Sequence, residues 1–313
     1  MRTVITDSPE AAAVYIRSGG VVAFPTETVY GLGANVFNAA AVARIFEAKR
    51  RPADNPLIVH IGSLKQLDLL TSEVKGSARR LMDHFFPGPL TVVVRRSPEV
   101  SDIVTAGLHS IGVRMPASDI ARRFIESCGV PIAAPSANLS GRPSPTTWQA
   151  VLEDLDGRID CILQGEPTKI GLESTIVDCT KAQPRLLRTG AISIDGLRHV
   201  VPNIIEPEPD ELIEIRSPGL RHRHYSPNAK VVIASGEDNT GGQEETAYIG
   251  ITVPIAVYKL TAVCRSMDEY AGRIFEFFRE CDRQGIETIY CEAVPAEGIG
   301  AALMDRIRRA TEN

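Results

Sequence analysis

The sequence predicts an α/β protein of two unequal domains, a large twisted mixed open sheet flanked by helices and a smaller Rossmann-like domain after it. Three observations carry that prediction. Short β-rich runs alternate with amphipathic stretches over residues 1–203, the order expected when helices pack on a central sheet. A proline-rich, acidic stretch then interrupts the pattern at 204–228. Alternation of strand and helix resumes over 229–313.

Within the large domain, seven runs read as strands: 19–24, 56–61, 90–94, 110–115, 130–134, 160–164 and 174–179. Each is rich in β-branched and apolar residues and is bounded by Gly, Pro or polar groups. Asn38 is placed to cap a helix running through Ala48, with Ala41, Val42, Ile45 and Phe46 on one face. Residues 76–86 and 118–127 also read as helices, and Arg188 closes a short strand in LLRTG (186–190). Gly31-Leu32-Gly33 reads as a tight turn, because a dinucleotide fingerprint would need a third glycine. Five prolines between 202 and 227, with the acidic run EPEPDE at 206–211, mark an interdomain linker. Beyond it, 230–235, 246–252, 255–260 and 287–292 read as strands, and 267–285 and 298–310 as helices.

Composition narrows the function. Of 313 residues, 43% are hydrophobic and 23% charged, which allows a sizeable core and disfavours disordered and fibrous classes. A net charge of −5 argues against a broad nucleic-acid-binding face, since counterion release needs clustered Lys and Arg; contact with tRNA should be weak and local. No apolar run approaches the ~20 residues of a membrane helix. The start, MRTVITDSPEAAAVYI, lacks the features of a secretory signal, so a cytoplasmic protein is expected. The six cysteines form no CxxC pair, which suggests reduced, mostly buried thiols rather than a zinc site or disulfides.

Phosphate-binding GxxxxGK[ST], GxSxG and HExxH are all absent. Four polar clusters remain at strand ends. PTETVYGLG (25–33) sets Thr26, Glu27 and Thr28 after the first strand. EAKRRPADNPLIVH (47–60) puts Lys49, Arg50 and Arg51 at a helix C-terminus, where cations complement the dipole, and then stiffens the chain with Pro52 and Pro56. Arg51, Asn55 and His60 become donors at fixed points, and the guanidinium suits carboxylates and phosphates. SIGVRMP (110–116) sets Arg114 in an apolar strand, facing either a structural acid or a bound anion. APSANLSGRPSPT (134–146) crowds Ser136, Asn138, Ser140 and Ser144 into a loop suited to cradle an anion. Donors outnumber nucleophiles, which points to chemistry performed by holding anions together.

These clusters, in this order, resemble the YrdC-like threonylcarbamoyl-adenylate synthases over residues 7–200. SPGLRHRHYSP (217–227) and the domain after it resemble the long, two-domain form. The resemblance implies a nucleotidyltransferase joining L-threonine, bicarbonate or CO2 and ATP into L-threonylcarbamoyl-adenylate, with release of pyrophosphate. A separate threonylcarbamoyl transferase complex would use the product to modify tRNA next to the anticodon. It also implies a KxR…SxN catalytic set at Lys49, Arg51, Ser136 and Asn138, with Thr28, His60, Arg114, Ala134 and Ser174 around threonine. Arg51, Asn55, Ser110, Ser136, Ser144 and Arg188 would hold ATP, with Tyr225 folding over it. Mg2+ would enter on ATP without a protein ligand set, and the linker would close over the site. His222 stands where the family often carries an aromatic residue. The alternative class is an RNA-binding or ribosome-associated module without turnover.

Overall fold

The computed structural model describes residues 2–206, 225–234 and 245–311. The large domain begins β1 (Val4–Thr6), α1 (Pro9–Arg17), β2 (Val22–Phe24), β3 (Gly31–Asn35), α2 (Ala39–Lys49) and β4 (Ile58–His60). It continues α3 (Gly76–Phe85), β5 (Leu90–Arg95), α4 (Asp102–Thr105), β6 (Ser110–Arg114), α5 (Asp119–Cys128) and β7 (Ile132–Ala134). It ends α6 (Trp148–Leu155), β8 (Cys161–Leu163), β9 (Thr175–Asp178), β10 (Arg185–Arg188) and α7 (Ile194–Val200). The ten strands form one mixed sheet in the order β1-β8-β2-β3-β7-β4-β6-β5-β9-β10.

Side-chain alternation splits the interior into two layers, because successive residues of a strand point to opposite faces. Val22, Phe24, Ile132, Ala134, Cys161 and Leu163 face a cluster capped by α1 and α5. Ala23, Ala133 and Ile162, one residue out of step, face the larger cluster that includes Ala41, Val42 and Ile45 of α2.

The small domain has strands β11 (Lys230–Ala234), β12 (Thr246–Gly250), β13 (Leu260–Val263) and β14 (Thr288–Glu292), with helices α8 (Met267–Arg283) and α9 (Ile299–Thr311). Its sheet is parallel throughout, in the order β11-β14-β12-β13. Val29, Leu172 and Tyr225 join its apolar cluster, so the two domains share packing. Gly171, at φ +77, lies against Gly272 of α8, where a Cβ would come within 2.5 Å of the Gly272 Cα.

Two sequence expectations are corrected. Gly31-Leu32-Gly33 is not a turn but part of β3, paired with β2 and β7. Its glycines serve close packing: a Cβ on Gly33 would sit 2.5 Å from Ile132 Cγ2. The strand expected at 255–260 lies instead at Leu260–Val263, in register with Ala247–Gly250. The stretch before it is exposed, with Ile255 93% accessible, and Pro254 has no N–H to offer a ladder. The short helices α1, α6 and α7 each open on an N-cap hydrogen bond, accepted by Ser8, Thr147 and Ser193. The expected linker begins by pairing with the large sheet, Leu186 N donating to Ile205 O at 2.9 Å. His222 and most of SPGLRHRHYSP lie outside the described residues.

Candidate active site

A cleft opens at the strand ends of the large domain, with Tyr225 on one side of it. Its lining comes from seven stretches of chain far apart in sequence: 26–31, 51–60, 114, 134–144, 173–174, 188 and 225. Parallel pairing of β4 with β6 sets His60 directly beside Arg114, both nearly buried. Arg114 answers the question its sequence left open: its Nη2 lies 2.6 Å from the Glu27 carboxylate, while Nη1 donates to Thr28 Oγ1 at 2.7 Å. Arg114 thereby fixes the PTET loop, in which Thr26 Oγ1 donates to Val29 O at 2.7 Å. Burial alone would push the Glu27 carboxyl up, but Arg114 outweighs it and the net shift is downward.

The second wall follows from how α2 ends. Asn38 Oδ1 accepts from Ala41 N at the start, and at the other end Arg50 adopts a left-handed conformation at φ 51. Arg51 N then donates to Phe46 O at 2.9 Å, which reverses the chain and carries the Arg51 side chain into the cavity lining. Its Nε and Nη2 are buried without hydrogen-bond partners among the described residues, and burial lowers its pKa to about 10. Beside it, Asn55 is 1% exposed, and among the described residues neither of its amide atoms nor His60 Nδ1 has a hydrogen-bond partner. Desolvation first, and the neighbouring Arg114 charge second, hold His60 neutral, with a pKa down to about 3. Unpaired buried groups of this kind carry a penalty of several kcal/mol, roughly, which a bound anion would offset.

Opposite them runs the 134–144 loop. Ser136 Oγ donates to Asn138 Oδ1 at 2.6 Å, and Asn138 Nδ2 holds the carbonyls of Leu139 and Arg142, each at 2.8 Å. Lys49 lies behind this loop rather than in the cavity lining. Its Nζ donates to Ser136 O and Asn138 O, both at 2.6 Å, and approaches Asn138 Oδ1 at 3.2 Å. Burial, then the Arg51 charge, push its pKa well below the usual lysine value. The third side is the entry to β9: Ser174 Oγ and Thr91 Oγ1 are 2.7 Å apart, and Arg188 holds Ser174 through its carbonyl at 3.0 Å and its hydroxyl at 3.2 Å. Tyr225, at φ 66, closes the remaining side, stacked on Phe275 of α8 with ring centroids 5.3 Å apart.

Of the residues singled out in the sequence, the structure brings Thr28, Arg51, His60, Arg114, Ala134, Ser136, Asn138, Ser144, Ser174, Arg188 and Tyr225 into one lining. Lys49 stands just behind it, and Asn55 is buried between the lining residues Arg51 and Pro56 in the chain. Ser110 does not join them. It pairs with Arg95 at the start of β6, and four residues of strand, about 13 Å, separate it from Arg114. Sequence reasoning missed Arg142 and Glu173, which also line the cavity. It missed the supports behind them as well: Asp154 accepts from Arg142 Nη1 at 2.5 Å, and Arg279 of α8 grips the same carboxylate at 2.8 and 3.1 Å. A readable signal existed, since Arg279 and Arg306 interrupt the apolar faces of α8 and α9 and a cation there needs a buried acid.

Fold and site together define a two-domain α/β enzyme whose cavity presents cations and small hydroxyls to anionic reactants. Comparison with known proteins gives that class a family. Residues 14–190 match the Sua5/YciO/YrdC family, described under telomere recombination, and residues 192–311 match the C-terminal domain of threonylcarbamoyl-AMP synthase. A threonylcarbamoyl-AMP synthase of Pyrococcus abyssi is 43% identical over 316 residues, spanning 96% of this chain and 93% of its own. A Bacillus subtilis protein of the same name is 40% identical, over 97% and 94% of the two chains. The structure of P. abyssi Sua5 complexed with L-threonine shares the fold at a TM-score of 0.89 and 39% identity, covering 99% of this chain and 97% of that one. The chain belongs to the two-domain Sua5 family of threonylcarbamoyl-AMP synthases.

Proposed function

We propose that this threonylcarbamoyl-AMP synthase, which serves threonylcarbamoyladenosine modification of tRNA, assembles its product in the cavity just described. The observation that carries the placement is Arg51, whose buried Nε and Nη2 have no hydrogen-bond partner among the described residues, in a lining that also carries Arg114, Arg142 and Arg188 and the hydroxyls of Thr28, Ser136, Ser144 and Ser174. L-Threonine occupies the end formed by Thr28, His60, Arg114, Ala134 and Ser174. Neutral His60 accepts a hydrogen bond through its open Nδ1. ATP occupies the end formed by Arg51, Asn55, Ser136, Ser144 and Arg188, under Tyr225. Lys49 acts through Ser136 and Asn138, whose carbonyls it holds, rather than by touching phosphate.

The chemistry then follows from crowding anions. The threonine amine forms a C–N bond to CO2 with loss of a proton to solvent, or to bicarbonate with loss of water, and an oxygen of the resulting carbamate attacks the α-phosphorus. A new P–O bond forms as the bond to the bridging oxygen breaks, and pyrophosphate leaves with the electron pair. Arg51 and Arg188 offset repulsion among carbamate and phosphates, a contribution of ~2–4 kcal/mol for each preorganised donor. Among the described residues Glu173 is the sole carboxylate of the lining, and it is engaged by Ser144 and Arg306. Mg2+ therefore finds no protein cage in this wall and would be carried by the triphosphate oxygens. The product passes to a separate transferase. Cytoplasmic residence accords with six buried, unbridged cysteines and with the absence, among the described residues, of a helix long and apolar enough to cross a membrane.

The test is pyrophosphate release by purified protein given ATP, Mg2+, bicarbonate and single amino acids. Release should require both threonine and bicarbonate, and Arg51→Ala should abolish it. Release that persists in Arg51→Ala would remove the proposed site from the reaction.

A further inference from the structure

The small domain does more than cover the cavity. Arg306 of α9 is 0% exposed and reaches across the domain junction. Its Nε donates to Glu173 Oε2 at 3.0 Å, and the other oxygen of that carboxylate accepts from Ser144 Oγ at 2.6 Å. Its Nη2 donates to Thr189 O at 3.0 Å, next in the chain to Arg188. Its guanidinium carbon lies 5.5 Å from the centre of the Tyr225 ring. One side chain thus touches the supports of three groups that converge on the same end of the cavity. Arg279 repeats the device on α8, gripping Asp154 and donating to Pro143 O at 2.5 Å, immediately before Ser144.

We infer that Arg306, seconded by Arg279, is a positioning residue for the nucleotide: it sets Ser144, Arg188 and Tyr225 from behind without touching the reactants. The inference rests on the reading that ATP lies at the Ser144 end. A fixed network aligns donors before binding, so its loss is felt by the ligand it serves and not by the ligand at the far wall. Lysine at position 306 keeps the charge but cannot reproduce the planar fork that serves Glu173 and Thr189 together.

The test uses the full chain and pyrophosphate release, varying ATP at saturating threonine and then threonine at saturating ATP. Arg306→Met should raise the KM for ATP at least about tenfold and that for threonine less than about twofold. Arg306→Lys should recover part of the ATP effect. Glu173→Gln, which keeps the shape but weakens the link, should show the same split, and combining it with Arg306→Met should add little. Ser144→Ala provides the reference. If Ser144→Ala impairs ATP saturation while Arg306→Met does not, the inference is wrong and the site reading stands. If neither variant alters it, the nucleotide reading of the loop fails and the inference falls with it. If both Michaelis constants rise together in Arg306→Lys and Glu173→Gln, Arg306 is a general prop of the fold, and the inference is overturned.

Discussion

The cavity wall at residues 51–60 and the domain junction beneath α8 and α9 both bury cations, and they treat them in opposite ways. At the junction the guanidiniums meet carboxylates supplied by the protein: Arg279 has Asp154 and Pro143 O, with its Nε left unpartnered among the described residues, and Arg306 has Glu173, Asp305 and Thr189 O. On the cavity wall, among the described residues, Arg51 keeps two buried nitrogens without partners, and Asn55 beside it keeps both amide atoms so. A buried cation whose partners are all intrachain holds the fold. A cavity-lining cation with no carboxylate on its buried nitrogens is open to a bound anion. The same residue type therefore marks structure in one region and ligand in the other, and only the inventory of acceptors separates them.

The largest test of that contrast is Arg51→Ala. Product formation should fall about 100- to 1,000-fold, while the melting temperature should hold or rise, because among the described residues Nε and Nη2 have no buried partner to orphan. A large fall in stability would erase the distinction. At the junction the effects should reverse in kind. Arg279→Met should lower the free energy of urea unfolding by about 3 kcal/mol, since Asp154 keeps only Arg142 and the Leu139 N–H.

A third test uses pH. His60 has its pKa lowered to about 3 in the fold against 6.5 for the free side chain, so between those values the unfolded chain binds a proton that the native state refuses. Stability attributable to His60 should be full above pH 6.5 and should decline as pH falls. At pH 5 the loss is about 2 kcal/mol. His60→Gln should flatten that part of the profile in thermal melts, and an unchanged slope would mean the ring is charged in the native state. The smallest expected effect is Thr28→Val. It removes the acceptor of Arg114 Nη1 at the edge of the wall and should raise the KM for threonine about tenfold, equivalent to ~1.4 kcal/mol, with ATP saturation unchanged.

Most of the cavity was legible because its residues cluster in sequence as they do in space. PTET, KRRPADN and APSAN each follow a strand or helix end that can deliver several side chains at once. Lys49 and Arg51 were equally visible, but their sequence could not say that one faces the Ser136–Asn138 carbonyls and the other the cavity. That difference arises in a single left-handed residue, Arg50, where the chain turns. Ser110 opens the strand that carries Arg114 but is not in the lining of the cavity. The strand expected at 255–260 failed through pattern alone, as apolar alternation there belongs to an exposed stretch.

By itself the sequence determined the α/β class, the two-domain division and most side chains of the cavity, because period, punctuation and strand-end clusters are local properties. Tertiary structure decided which buried charges find acceptors. It brought Glu27 to Arg114, Asp154 to Arg279 and Glu173 to Arg306. It left Arg51 with nitrogens unpartnered among the described residues. Pairings across the sheet and across the domain junction, separated by as many as 133 residues, leave no periodic trace in the chain. Their energies depend on desolvation and distance, and both exist only once the parts are packed.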